Sequence, residues 1–375
     1  MKNHFLSCCL VAAVMQFIVI LPSAAQAIVV GRSLPLSGQL KTIGEFKRDG
    51  GDAYIKKIND SGGIGGRIIE LVTLDDAYVA DNTIANLRKI STEHAPVAFL
   101  NSLRLPAVGN TFPILNELKI PFIGVSSATD ALRAQFNPYG FPVRAGSADE
   151  IGKLVNHAKV IGINKISVIY QDVPLGHTLH AQSETSFKAA NLNLISFKID
   201  VDASAKSIAD VARQTLQAQP QAIFLAVLTP AAVAMIAELR KISFNGPIYG
   251  SSATDASVIA KLLGKQAVGL AFSQIVPLPN GPRVKVVAEY QQAMKDLGRG
   301  VSSGLGLEGF IEAKVLVEGL RRAGPNPTPA SLAKGLETLR DLDVGGFFVS
   351  YTPKVHTGSL FVEIDVISAK GELMR

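Results

Sequence analysis

Ser126-Ser127-Ala128-Thr129-Asp130-Ala131 returns in the same chain as Ser251-Ser252-Ala253-Thr254-Asp255-Ala256. Each copy follows a short apolar run opened by proline, Pro121 to Val125 and Pro247 to Tyr249, so each reads as strand, small polar loop, helix. In α/β sheets ligands collect outside the carboxyl ends of strands, where hydroxyls and open backbone N–H groups meet a polar solute. One such loop in each half of the chain predicts two similar lobes facing one cleft. The plainer alternative is that Ser, Ala, Thr and Asp are common helix starters and simply occur together twice.

Outward from the repeat, strand and helix patterns alternate. Ile28-Val29-Val30 reads as a buried strand, followed by a helix over 44–59, a strand over 68–74, a helix over 80–93, a strand over 97–100 and a helix over 107–118. Beyond residue 148 the alternation resumes, with helices over 150–161, 176–190, 205–218 and 231–242 between strands over 166–170, 194–199, 222–227 and 247–249. Such alternation predicts parallel sheets covered by helices. A strand over 269–275 ends at the turn-rich Pro277 to Pro282, which reads as a crossover back to the first lobe. Helices over 306–323 and 329–336 follow, then strands over 345–351 and 360–367, the last turning at Ala369-Lys370-Gly371.

The first residues read as an export leader. Lys2 and His4 precede an almost wholly apolar run from Phe5 to Leu21, and Pro22-Ser23-Ala24-Ala25-Gln26-Ala27 ends in small residues, predicting cleavage after Ala27. An uncleaved anchor is the alternative, because the run is at the lower limit for a membrane span. The two cysteines, Cys8 and Cys9, leave with the leader, so no disulfide, Cys metal site or Cys nucleophile is expected in the rest. The formal charge of +6 is spread without a basic run, which argues against nucleic acid.

Enzyme chemistry lacks its parts. Gly304-Leu305-Gly306-Leu307-Glu308-Gly309 fits the dinucleotide fingerprint literally, but no strand precedes it and no acid follows at the required spacing. No nucleophile elbow and no P-loop occur. His177 and His180 share a helical face and could share a metal, but no third His or Cys lies near, so a solvated surface is the stronger reading. Asp75 and Asp76 point to opposite faces of a strand, which suits loop and capping roles better than an acid/base pair.

The segments SLPLSG (33–38), AYIKKINDSGGIGGRIIELVTLDDA (53–77), FPVRAGSADEIGKLVNHA (141–158) and ISVIYQDVPLG (166–176) resemble the periplasmic solute-binding proteins of the leucine/isoleucine/valine-binding type, which serve ABC importers. The resemblance runs over nearly the whole chain after the leader, and the N-D-x-G-G-I-x-G-R…D-D segment is its most specific part. It implies an α/β protein of two Rossmann-like lobes with parallel sheets joined by a three-stranded hinge. Lobe 1 would comprise 28–146 and 274–354, lobe 2 147–273 and 355–375, with crossings near Gly146, Ser273 and Lys354. Ser102 falls on the family's carboxylate-binding serine, and Ser126, Ser127 and Ala128 on its backbone cup. Leu175 and Leu228 stand where the family has aromatic contacts in the second lobe, and Ile43 and Leu305 replace further aromatics in the first. The family's acidic anchor for a ligand ammonium aligns with Ser252; either Asp255 substitutes for it or the ligand lacks an amino group.

The implied function is the binding component of an ABC importer, holding a branched-chain or other amino acid or a related carboxylate or amide. A periplasmic sensor feeding a receptor kinase or chemoreceptor is the alternative. The expected partners are a small-molecule ligand and an inner-membrane ABC permease, with no cofactor, no metal, no nucleic acid, no membrane insertion of the mature chain and a monomeric state.

Overall fold

The computed structural model describes residues 26–103, 108–126, 129–281, 284–300 and 303–375, with backbone alone over 108–111. Most of the expected leader, and Ser127, Ala128 and Pro282, lie outside the described residues. The first half alternates β1 (Ile28–Leu34), α1 (Lys41–Asp60), β2 (Ile69–Asp75), α2 (Ala80–His94), β3 (Ala98–Ser102), α3 (Val108–Leu118), β4 (Phe122–Val125), α4 (Thr129–Ala134) and the short β5 (Gly140–Phe141). These five strands form one parallel sheet in the order β2-β1-β3-β4-β5. Every residue of β3 and β4 is buried, as expected of central parallel strands covered on both faces.

The second unit repeats the scheme with α5 (Ser147–Val160), β6 (Lys165–Gln171), α6 (Pro174–Ala189), β7 (Asn193–Ile199), α7 (Ala205–Gln217), β8 (Ala222–Ala226), α8 (Thr229–Lys241), β9 (Ile248–Gly250), α9 (Ala256–Leu263) and β10 (Ala271–Gln274). The chain then adds α10 (Lys285–Asp296), α11 (Gly304–Ala323), α12 (Pro329–Leu336), β11 (Leu342–Asp343), β12 (Phe348–Thr352), β13 (Val355–Gly358), β14 (Glu363–Ile367) and β15 (Leu373–Met374). The second sheet runs β15-β14-β10-β9-β8-β6-β7, parallel except where β14 meets β10 and β15. β11, β12 and β13 form a separate antiparallel sheet. The two α/β lobes and their parallel sheets are those the alternation called for.

Packing shows where each segment belongs. Ile28, Val30, Leu100 and Ile123 from the first sheet share a core with Val286, Tyr290, Phe310, Leu316 and Leu336 from α10, α11 and α12. Late helices thus cover an early sheet. The second sheet is covered on one face by α7, α8 and α9 and on the other by α5 and α6. The chain passes between the lobes after β5, after β10 and between Gly358 and Glu363, because β13 still pairs with β12 while β14 joins the second sheet.

One seam sets up the site. α1 and α11 cross so closely that a Cβ on Gly50 would stand 1.8 Å from the Gly306 carbonyl oxygen, and one on Gly309 would stand 2.3 Å from that of Lys47. Any larger side chain would force the helices apart. The G-x-G-x-x-G at residues 304–309 therefore lies inside a helix and serves helix packing. Asp75 and Asp76 likewise hold a loop: Asp75 accepts from the N–H groups of Leu36 and Ala77, and Asp76 from Ser33, Thr83 and the Tyr78 N–H.

Candidate functional site

The closeness of α1 and α11 places Lys47 between Glu308 and Glu312, one helical turn apart on one face of α11. All three side chains are buried. The Lys47 ammonium lies 3.0 Å from Glu308 Oε1 and donates to Glu312 Oε1 at 2.8 Å and to Ser126 Oγ at 2.8 Å. Ser126 Oγ in turn donates to Glu308 Oε1 at 3.0 Å, and Asn101 Nδ2 donates to Glu312 Oε2 at 2.5 Å. The first serine of the first hexapeptide is therefore wired into an ionic cluster.

Two carboxylates and one ammonium share that cluster, so their ionisation is divided. Burial would raise the Glu308 pKa, but the charges of Lys47 and Arg144 and the hydrogen bonds from Lys47 and Ser126 hold it below its usual range. Burial dominates at Glu312, where the Glu308 charge adds to it and outweighs Lys47, and its pKa is pushed up to about 8. Near neutrality the negative charge of the glutamate pair thus rests on Glu308 and the proton on Glu312.

The second hexapeptide has its own network. The Arg144 guanidinium donates to Glu150 and, at 2.6 Å, to Ser252 Oγ. Ser252 donates its N–H to Glu150 Oε2 at 2.8 Å and its hydroxyl to Glu150 Oε1 at 2.9 Å, while Ser273 Oγ donates to Glu150 Oε2 at 2.6 Å. Burial alone would lower the Arg144 pKa, but the charges of Glu150 and Glu308 hold it above its ordinary value. Arg144 thus links electrostatically the networks of the two hexapeptides.

Two cavities open between the lobes. The larger, about 870 Å³, is lined by Ser252 and Asp255 from the second lobe, by Leu305 and Glu308 from α11, and by the crossover around Leu278 and Pro279. The smaller, about 450 Å³, lies between Gln39, Leu40 and Tyr78 on one side and Gln171, Leu228 and Pro230 on the other.

Of the residues singled out from sequence, Ser252, Asp255 and Leu305 meet at the larger cavity and Leu228 faces the smaller. Ser102 and Ser126 stand at the ends of the adjacent strands β3 and β4. Ser102 is fully buried, and its hydroxyl has no hydrogen-bond partner among the described residues. Leu175 lies in the first turn of α6, packed on the second lobe's core, and Ile43 is half-buried in α1. Asp255 caps α9: its Oδ1 accepts from the N–H groups of Ser257 and Val258 at 2.9 and 3.1 Å. Lys47, Asn101, Arg144, Glu150, Glu308 and Glu312 escaped the sequence reading. The pair Glu308 and Glu312, four residues apart among Leu307, Phe310 and Ile311, was the available signal.

Two doubly wound lobes around a polar cleft define a type I periplasmic binding fold. The sequence profile of the periplasmic binding proteins matches residues 27–365, and the chain belongs to that family, with the fold of its leucine/isoleucine/valine-binding type. A substrate-binding periplasmic protein from Ralstonia solanacearum is 30% identical, with a TM-score of 0.85 over 92% of this chain and 99% of that one. An extracellular ligand-binding receptor from Verminephrobacter eiseniae is 29% identical, with a TM-score of 0.86 over 93% of this chain and 100% of the other. A possible leucine/isoleucine/valine-binding protein from Rhodopirellula baltica shares the fold at 24% identity, with a TM-score of 0.85 over 95% and 98%. No curated protein matches significantly. The family is one of solute-binding proteins, and among the described residues no helix is long and apolar enough to cross a membrane.

Proposed function

We propose that this chain is the solute-binding component of an ABC importer, exported by a leader cleaved after Ala27. It captures a small polar solute between its lobes and delivers it to an inner-membrane permease. Branched-chain or other amino acids and related carboxylates or amides are the candidate ligands. The observation that carries this reading is a set of buried polar atoms without partners among the described residues: Ser102 Oγ at the end of β3, Ser251 Oγ after β9, Asp255 Oδ2 before α9 and Glu308 Oε2 in α11. Each such atom costs about 1–3 kcal/mol while unsatisfied, and a polar ligand in the cleft would relieve that cost. A ligand that touches both lobes favours their closed arrangement by its differential affinity, and a permease can read that arrangement.

The test is the thermal unfolding midpoint of the protein against amino acids, aliphatic and aromatic carboxylates, and amides. A ligand at about a hundred times its dissociation constant adds roughly 2.7 kcal/mol, which raises the midpoint by a few degrees. A panel without any shift would overturn the reading.

A further inference from the structure

The larger cavity is long as well as wide, and α9 runs along one of its walls. Ala256, Ser257, Ala260 and Lys261 line it from one face of that helix, and Gly264 and Lys265 extend the wall through the 3-10 turn Gly264–Ala267. The eight residues of α9 alone rise about 12 Å. At about 870 Å³ the cavity falls in the upper part of the range for sites that enclose ligands of drug size. Charge divides along this length. At the start of α9, Asp255 is spent on the helix cap and Glu308 on Lys47. Beyond its end stand Lys261, Lys265 and Lys370, the last on the turn between β14 and β15. The Gly269 N–H donates to Ile367 O at 2.9 Å, which brings that turn beside the end of the 3-10 turn. All three lysines line the cavity and are exposed, and their ammonium groups make no salt bridge or hydrogen bond with another described residue. Glu372 is the one acid lining that end among the described residues, so cations prevail there.

Resting on the binding function above, we propose that this end of the cavity is an outer subsite for the distal anionic group of an elongated solute. Such a solute is longer than a single amino acid and lies along α9, with a carboxylate or a similar anion among Lys261, Lys265 and Lys370. The acids at the other end of the cavity repel that group, so charge also sets the direction in which the solute lies. Lysine ammonium groups on flexible stems follow an anion over a range of positions, so the subsite selects charge and length rather than a particular shape.

Matched pairs that differ only in a distal carboxylate test it by calorimetric titration: octanedioate against octanoate, 2-aminooctanedioate against 2-aminooctanoate, and 3-(4-carboxyphenyl)propanoate against 3-phenylpropanoate. In at least one pair the member with the distal carboxylate binds roughly threefold to tenfold more tightly, the effect of two or three water-screened ion pairs. Added salt shrinks that preference, and butanedioate, too short to span α9, shows none over butanoate. The double variant Lys261→Gln, Lys265→Gln brings the ratio within the pair close to one. Both lysines are exposed and unpaired among the described residues, so the unfolding midpoint of the free variant stays near that of the parent and a lost preference is not a lost fold. Equal binding within every long pair, or a preference that survives the double variant, overturns the subsite while leaving the binding function intact. If no member of any pair binds, the subsite falls, and the binding function is decided by the wider panel of solutes described above.

Discussion

In the first copy of the repeated hexapeptide the helix begins at Thr129, so Asp130 lies inside its first turn; in the second it begins at Ala256, and Asp255 stands outside as its cap. Ser126 donates into the Lys47 cluster, whereas its counterpart Ser251 has a buried hydroxyl with no partner among the described residues. Asp130 reaches across to the second lobe, accepting from Ser147 N at 2.9 Å and from Gln182 Nε2 at 2.8 Å. Asp255 turns inward to its own helix. Six identical residues thus take different roles because the elements around them differ: α11 and its glutamates stand over the first copy, and Arg144 and Glu150 over the second.

The largest way to break this contrast is to remove the cation beneath the first copy. Lys47→Met would leave Glu308 and Glu312 buried without their ammonium, and we expect a loss of about 3–5 kcal/mol in urea unfolding. Adding Glu312→Gln should recover part of it. A loss below about 1 kcal/mol would mean that the cluster takes in water when the lysine is gone.

A smaller effect comes from the proton on Glu312. Its pKa near 8 lies above that of an unfolded glutamate, so in the window between them the folded protein binds more protons than the unfolded chain. Stability from this group is complete below the ordinary glutamate pKa, declines as pH rises through the window and levels off above about 8. His356, whose pKa burial lowers to about 4, contributes in the opposite sense and only below its ordinary value of 6.5. Between pH 6.5 and 8.5 we expect a decline on the order of 2 kcal/mol in the parent and a flatter profile in Glu312→Gln. Parallel profiles would place the proton on another group.

The smallest effects separate the two aspartates. Asp255→Ala removes the cap of α9 and should cost about 1 kcal/mol, whereas Asp130→Ala leaves both Ser147 N, at the start of α5, and Gln182 Nε2 without their acceptor and should cost about 1.5 kcal/mol. Equal losses in chemical denaturation would make the two copies equivalent after all.

Much of the fold could be read from the chain. Prolines before Phe122 and Ile248 marked strand starts, and the alternation of apolar runs with amphipathic stretches gave both sheets, with boundaries displaced by one to a few residues. The site was only partly legible. Strand ends and a family pattern single out Ser102, Ser126, Leu228, Ser252, Asp255 and Leu305, of which Ser252, Asp255 and Leu305 line one cavity and Leu228 another. The buried ions were missed because no local rule makes Lys47 differ from a surface lysine: its carboxylate partners lie more than two hundred residues further on, and only the glycine seam brings them near. The same limit explains Ser252, whose hydroxyl looks open in sequence but belongs to Arg144 and Glu150.

That seam also fixes an order of events during synthesis. Lys47 and Glu312 are 265 positions apart, and Gly50 cannot meet Gly306 until α11 exists. The first sheet to be made therefore waits for some of the last helices before its core can close, and contacts so distant in the chain are slow to form. The second lobe can assemble most of its core from one continuous stretch. A nascent chain of this design remains in part unfolded until its carboxyl-terminal segments emerge, which suits the export proposed for it.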